Sequence, residues 1–170
     1  MSATESNEQM VKIRPARKED AATLLSLLDG LADYEELPRP DEGARTRLTE
    51  HGFGPQPKFE VFLAEVNGKA AGYTISFETY STFLARPTFY LEDLFVLPEY
   101  RKLRVGLALF KNCVRQARQR ECGRMEWQVL DWNENAIKFY ERLGATRLKE
   151  WLPYRLSMSD LAQLDEETPA

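Results

Sequence analysis

The sequence predicts a mixed α/β or α+β fold, in which one sheet carries helices on both of its faces. An apolar strand over 90–97 runs directly into an amphipathic helix. Two further strands, over 59–66 and 70–77, are joined by Asn67-Gly68, which suits a tight hairpin turn because both residues tolerate positive φ. Strand and helix then alternate, an order typical of sheets covered by helices.

The first third of the chain predicts one strand and two helices. Residues 11–14 alternate apolar and polar side chains, and Pro15 ends the run. Apolar residues at helical spacing over 18–36 predict an amphipathic helix. A second helix is expected over 41–50, because acidic residues open it and a cluster of Gly and Pro follows. Residues 1–9 are polar and without periodicity, so we expect a frayed leader.

The strand over 90–97 ends at Pro98 and is followed by a basic turn, 101–106, that opens the next helix. In so apolar a strand the adjacent carboxylates Glu92 and Asp93 are anomalous, because burying an unpaired charge is costly. Neighbouring strand residues face opposite sides, so only one carboxylate lines a given face unless a bulge re-aims them. The free N–H groups of a first helical turn bind phosphate, so the basic turn suggests a ligand that carries phosphate.

The last third predicts a strand over 124–130, a helix over 135–143 and a final strand over 151–158. The residues from 160 onward are acidic, and we expect them to be loosely held. No repeat or linker is visible, so we expect a single domain over 10–159.

Composition excludes several classes of protein. The chain has 170 residues, of which 43% are hydrophobic and 29% charged, as in ordinary globular proteins. Its net charge of -4 argues against nucleic acid as a partner. No apolar run is long enough to span a membrane and no signal peptide is visible, so we expect a cytoplasmic protein. Cys113, Cys122 and the single His51 are too few for a usual zinc site, so we expect reduced thiols and no metal.

Three stretches resemble the GCN5-related N-acetyltransferases, the GNAT superfamily: YLEDLFVLPEYR from Tyr90, the basic turn with Gly106, and WQVLDWNENAIKFYERLGA from Trp127. LADYEEL over 31–37 and HGFGPQP over 51–57 are similar to its spermidine/spermine (diamine) N-acetyltransferase group. The resemblance covers nearly the whole chain. It implies a mixed, mostly antiparallel sheet of six or seven strands with about four helices, in which two central parallel strands splay.

The resemblance also implies a reaction: direct acetyl transfer, in a ternary complex, from acetyl-CoA to the primary amine of a small diamine, polyamine or lysine-like substrate. It further implies a homodimer. An alkylammonium titrates at about 10 and cannot attack while protonated, so the site must hold the cation and remove its proton. The family match makes Glu92 the base, acting through water, and Asp93 a substrate-side or structural residue. It makes Tyr140 the general acid at the coenzyme A sulfur.

The family match also assigns the binding positions. Main-chain groups of the central strand are expected to pair with the pantetheine amides, and amides around 103–107 to hold the diphosphate. The residues implied at the cofactor are Phe95, Val96, Arg101, Leu103, Arg104, Val105, Gly106, Leu107, Asn133 and Arg142. The residues implied on the acceptor side are Tyr34, Glu35, Glu92 and Asp93.

The basic turn departs from the family pattern at two positions: Lys102 replaces a frequent glycine, and Arg104 stands where the phosphate turn usually has its first glycine. If the position needs positive φ, arginine costs about 1 kcal/mol or more and weakens cofactor binding. If its side chain points outward, it adds a cation beside the phosphates. Two other functions therefore stay open: a non-catalytic acyl-CoA sensor, and an acetyltransferase of protein lysines or amino termini.

Overall fold

A computed structural model of the chain describes residues 10–167; the leader expected over 1–9 lies outside these residues. The chain forms two compact units, one ending at Gln128 and the other beginning at Val129, and each is described by itself. The single domain expected over 10–159 stays a prediction. No helix within 10–167 combines the length and the apolar character that crossing a bilayer requires.

The first unit contains a five-stranded sheet and three helices. Its elements are β1 (Val11–Pro15), α1 (Ala21–Tyr34), α2 (Glu42–Phe53), β2 (Glu60–Val66), β3 (Lys69–Ser81), β4 (Arg86–Val96), α3 (Val105–Gln119) and β5 (Arg124–Glu126). The strands lie in the order β1-β2-β3-β4-β5. Neighbours are antiparallel except β4 and β5, which are parallel.

The hairpin between β2 and β3 confirms the turn predicted from Asn67-Gly68. Val66 pairs with Lys69, so the loop has two residues, and their φ angles are 51° and 78°. Positive φ at both positions matches the twist of the flanking strands. The hairpin fixes the register of the strand pair on which β4 is then added.

Helices cover both faces of the sheet, as predicted. The core between α1 and the sheet contains the buried residues Leu24, Leu27, Val61, Leu63, Tyr73, Ile75 and Phe95. The core between α3 and the opposite face of the sheet contains the buried residues Ala64, Val66, Ala71, Val105 and Leu109. Burial of these apolar side chains, at about 25 cal/mol per Å², is the main force that holds the layers together.

The second unit contains two helices, α4 (Glu134–Arg142) and α5 (Met158–Glu167). The strand expected over 151–158 is absent, so the sheet within 10–167 has five strands and not six or seven. Pro153, which has no N–H to donate to a ladder, interrupts that segment. Ser157 and Asp160 exchange side-chain to backbone hydrogen bonds of a capping-box type, which start α5 in a tail that we expected to be loosely held.

Candidate active site

Glu92 and Asp93 lie at a β-bulge in β4. Ile75 of β3 is opposite Asp93, whereas the next residue, Ser76, is opposite Leu91, so Glu92 is the extra residue with no partner in the register. Bulges bend a strand and re-aim its side chains, and they occur often beside active sites. The strict alternation that would separate two adjacent carboxylates is therefore broken at these two residues.

Asp93 is half-buried, whereas Glu92 is exposed. The hydroxyl of Tyr73, which is fully buried in β3, donates a hydrogen bond of 3.3 Å to Oδ2 of Asp93. Burial raises the pKa of Asp93 to about 6; the charges of Glu92 and Glu35 add to the rise, and the Tyr73 hydrogen bond opposes it. Asp93 is therefore mostly ionised at pH 7, and its pKa suits a proton acceptor.

The end of α1 brings Tyr34 and Glu35 to the same side of the sheet. Glu35 directly follows α1 and is half-buried, and burial raises its pKa. Its charge also contributes to the raised pKa of both Asp93 and Tyr73, so the three groups interact. These electrostatic interactions link the predicted acceptor-side residues of α1 and β4 in one acidic cluster, which we define as Glu35, Glu92 and Asp93.

Arg101 is the first residue of the basic turn. Its guanidinium lies 4.6 Å from the centroid of the Tyr34 ring, and its Nε donates a 3.1 Å hydrogen bond to the carbonyl of Val96. Cation–π contacts and hydrogen bonds of this kind fix the direction of a long side chain. Arg101 is thus held beside the end of β4 although it is exposed.

The two parallel strands pair along only three residues. β5 is opposite Thr88 to Tyr90, but β4 continues to Val96. No strand described within 10–167 pairs with this edge of β4 beyond Tyr90. The main-chain groups of Phe95 and Val96 therefore belong to a strand with one open edge, which an extended ligand that carries amides can extend.

α3 begins at Val105, so residues 101–104 of the basic turn precede the helix and 105–106 form its start. Lys102 and Arg104 have φ angles of 69° and 60°, so both occupy the left-handed region that favours glycine. Both side chains are exposed. Arg104 therefore combines a backbone in the left-handed region, which is costly for a residue with a side chain, with a side chain that points outward.

The amides at the start of α3 are open to an anion. Arg104 is the N-cap residue, and no side chain caps the helix, so the first N–H groups, at 105–107, have no capping partner. Leu103 and Val105 pack into the core on the α3 face. A Cβ added at Gly106 would make only ordinary contacts, at 3.7 and 3.9 Å, with side chains of β4, so sheet packing does not require glycine there.

The remaining predicted site residues lie on α4, in the second unit. Asn133 caps this helix, since its Oδ1 accepts a 3.2 Å hydrogen bond from the N–H of Ala136. Tyr140 is half-buried, and its ring lies 5.1 Å from that of Phe139. Arg142 is exposed at the end of the helix. The roles that the family resemblance implies for these three residues stay predictions.

Sequence reasoning missed Tyr73. A tyrosine on an alternating strand gives no sign that its hydroxyl will meet a carboxylate of the next strand, because that contact depends on the register at the bulge. Within residues 10–167 no three His, Cys, Asp or Glu side chains cluster as metal ligands would.

Comparison with known proteins agrees with this geometry. Residues 24–145 match the acetyltransferase (GNAT) family. The chain is 31% identical over 164 residues to the thialysine N-epsilon-acetyltransferase of Mus musculus, which covers 90% of this chain and 96% of that protein. It is 29% identical over 163 residues to the spermidine/spermine N(1)-acetyltransferase-like protein 1 of Homo sapiens, which covers 90% of this chain and 23% of that protein.

A solved structure of a probable acetyltransferase has the same fold, with a TM-score of 0.76 at 23% identity, over 88% of this chain and 99% of that one. The open edge of β4 and the uncapped start of α3 are thus found in a chain whose sequence and fold both match acetyltransferases. The chain belongs to the GNAT family of acetyltransferases.

Proposed function

We propose that this enzyme transfers the acetyl group of acetyl-CoA to the primary amine of a small diamine or polyamine, or of a lysine-like amino acid. The acidic cluster is the observation that carries the proposal. Three carboxylates from α1 and β4 interact there, and a ligand with a cationic aminoalkyl chain would neutralise them. The names of the two relatives, a thialysine enzyme and a spermidine/spermine-like protein, point to amines of this shape.

The residues of the first unit fit an acyl donor that carries both amides and phosphates. Phe95 and Val96 would pair with the amides along the open edge of β4, and the amides of 105–107 would hold the diphosphate. Arg101 would add a positive charge beside it. When bound, acetyl-CoA supplies a thioester whose carbonyl carbon the neutral amine attacks.

The amine side needs a group that binds a cation and removes its proton. Glu35 would hold a second positive charge of a diamine, because it lies at the half-buried end of α1 within the acidic cluster. Glu92 acting as the base through water, as the family match implies, stays a prediction. Tyr140 would donate its phenolic proton to the departing thiolate, with Asn133 and Arg142 on the cofactor side of α4. Homodimer formation and a cytoplasmic location likewise stay predictions.

A second candidate is an acyl-CoA sensor without turnover, which the left-handed backbone of Arg104 and Lys102 favours because it strains the phosphate turn. Calorimetric titration with acetyl-CoA and thiol release with a panel of amines separate the candidates. The panel contains spermidine, a short diamine, lysine, thialysine and a lysine-containing peptide. Release with the small amines supports our proposal; binding without release favours the sensor, and release with the peptide alone indicates a protein acetyltransferase.

Replacing Arg104 with glycine should stabilise the fold. Relieving a left-handed φ of 60° on a residue with a side chain should raise the free energy of unfolding by about 1 kcal/mol. Urea denaturation measures this change, and acetyl-CoA titration of the same variant then shows whether the side chain helps the cofactor. Weaker binding would mean that Arg104 contacts phosphate, and tighter binding that the strain had hindered the turn.

Lys102→Gly is the matched control, because Lys102 is also exposed with a left-handed φ but does not cap α3. It should stabilise the protein by a similar amount and change acetyl-CoA affinity less than Arg104→Gly does. If neither variant is more stable than the parent, the two left-handed positions are not strained.

A further inference from the structure

The hydroxyl of Tyr73 is a polar group within the apolar core on the α1 face of the sheet. The Tyr73 side chain is fully buried among the residues on the α1 face, and its ring centroid lies 6.3 Å from that of Phe95. A buried tyrosine hydroxyl needs a hydrogen-bond partner, since leaving it without one costs about 1–3 kcal/mol. Its partner here is Oδ2 of Asp93, at 3.3 Å. The core therefore directs a donor at one oxygen of the bulge carboxylate.

The groups that face Asp93 come from three elements, and none is cationic. β3 supplies Tyr73, β4 supplies Glu92, and the end of α1 supplies Glu35. None of the ion pairs formed within residues 10–167 includes Asp93. A half-buried carboxylate without a cation, next to two other acids, is costly for the fold and attracts a proton or a cationic ligand.

We propose that Tyr73 is a positioning residue that holds Asp93 so that its other oxygen, Oδ1, accepts the proton of the acceptor's ammonium group. This inference rests on the proposed function and deepens it, because it assigns the proton transfer to Asp93 and not to Glu92. The N–H bond of the ammonium breaks, its electron pair stays on nitrogen, and an O–H bond forms at Oδ1. The neutral amine then attacks the thioester, and Asp93 returns the proton to water.

The electrostatics of the site suit this role. Burial and the neighbouring acids raise the pKa of Asp93 to about 6, so the group is mostly ionised at pH 7 and still basic enough to take a proton. The hydrogen bond from Tyr73 stabilises the ionised form and so lowers that pKa. Removing the hydroxyl should therefore raise the pKa of Asp93 further, and the acid limb of the pH–rate profile should move to higher pH.

Tyr73→Phe tests the inference, since it removes only the hydroxyl. Near pH 5 we expect kcat/KM to fall about threefold, with most of the parent value regained above pH 8, as follows when a required base titrates about half a pH unit higher. Tyr90→Phe is the matched control. Tyr90 is a half-buried residue of β4 whose hydroxyl is not bonded to Asp93, so this substitution should leave the acid limb in place.

A second measurement does not depend on activity or on the variant. NMR titration of the Asp93 carboxyl carbon in the ligand-free parent should give a pKa near 6, and a value near 4 would overturn the proposal. If Tyr73→Phe changes neither the acid limb nor the titration of Asp93, the proposed role of Tyr73 is also overturned. The proposed function then still stands, provided that the parent enzyme acetylates small amines. If the parent acetylates no amine, the proposed function fails and this inference fails with it.

Discussion

Asp93→Asn should lower kcat/KM for amine acetylation by about 100-fold or more at pH 7, because loss of a general base typically costs 10²–10⁴-fold. Asparagine keeps the size of the side chain and an oxygen that can accept the Tyr73 hydrogen bond, but it cannot take a proton. The affinity for acetyl-CoA should stay close to that of the parent, since the side chain of Asp93 is not among the proposed cofactor contacts. Steady-state kinetics and calorimetry of the same preparation measure both quantities.

Glu92→Gln is the matched control for this experiment. It removes the neighbouring negative charge from an exposed side chain and leaves the half-buried carboxyl in place. We expect a smaller loss of kcat/KM than in Asp93→Asn, mainly through a higher KM for the cationic amine. A large loss of kcat in Glu92→Gln with nearly full activity in Asp93→Asn would instead make Glu92 the base, as the family resemblance alone implies.

Asp93→Asn should also make the protein more stable. A carboxyl whose pKa rises from about 4 in the unfolded chain to about 6 in the folded one destabilises the fold as pH rises through this window. Asp93→Asn removes that cost, so the free energy of unfolding at pH 7 should increase by an amount on the order of 2 kcal/mol, and at pH 3 it should hardly change. Opposite changes in activity and stability are typical of a residue retained for function.

The sequence was sufficient for those features that depend on local pattern. The hairpin at Asn67-Gly68 and the apolar strand that runs toward α3 follow from residue types at fixed spacing, and both are present. The strand expected over 151–158 is wrong: the segment is rich in apolar residues, but Pro153 cannot donate a hydrogen bond to a ladder. The Ser157 to Asp160 capping box was a local signal that could have predicted α5.

Features that depend on strand pairing could not be predicted in this way. The bulge at Glu92 appears only when β4 is aligned against β3, and the same alignment brings the Tyr73 hydroxyl to Asp93. The sequence could therefore identify two unusual carboxylates but not show which of them is better suited to accept a proton. That difference depends on the folded structure, in which Glu92 is exposed and Asp93 is half-buried with a raised pKa.

Tyr140→Phe should lower kcat about tenfold or more and leave the affinity for acetyl-CoA nearly unchanged. A general acid interacts with the leaving group mainly in the transition state, so its loss affects the chemical step and not ground-state binding. Tyr140 is half-buried on α4, where its ring packs on Phe139, and phenylalanine preserves that packing. Pre-steady-state thiol release separates the chemical step from product release, and calorimetry gives the affinity.

Tyr154→Phe is the matched control for Tyr140→Phe, because Tyr154 belongs to the same unit and its side chain is 92% exposed. It should retain the parent kcat. A Tyr140→Phe enzyme with parental kcat would exclude the phenol as the acid and leave solvent as the proton source for the thiolate.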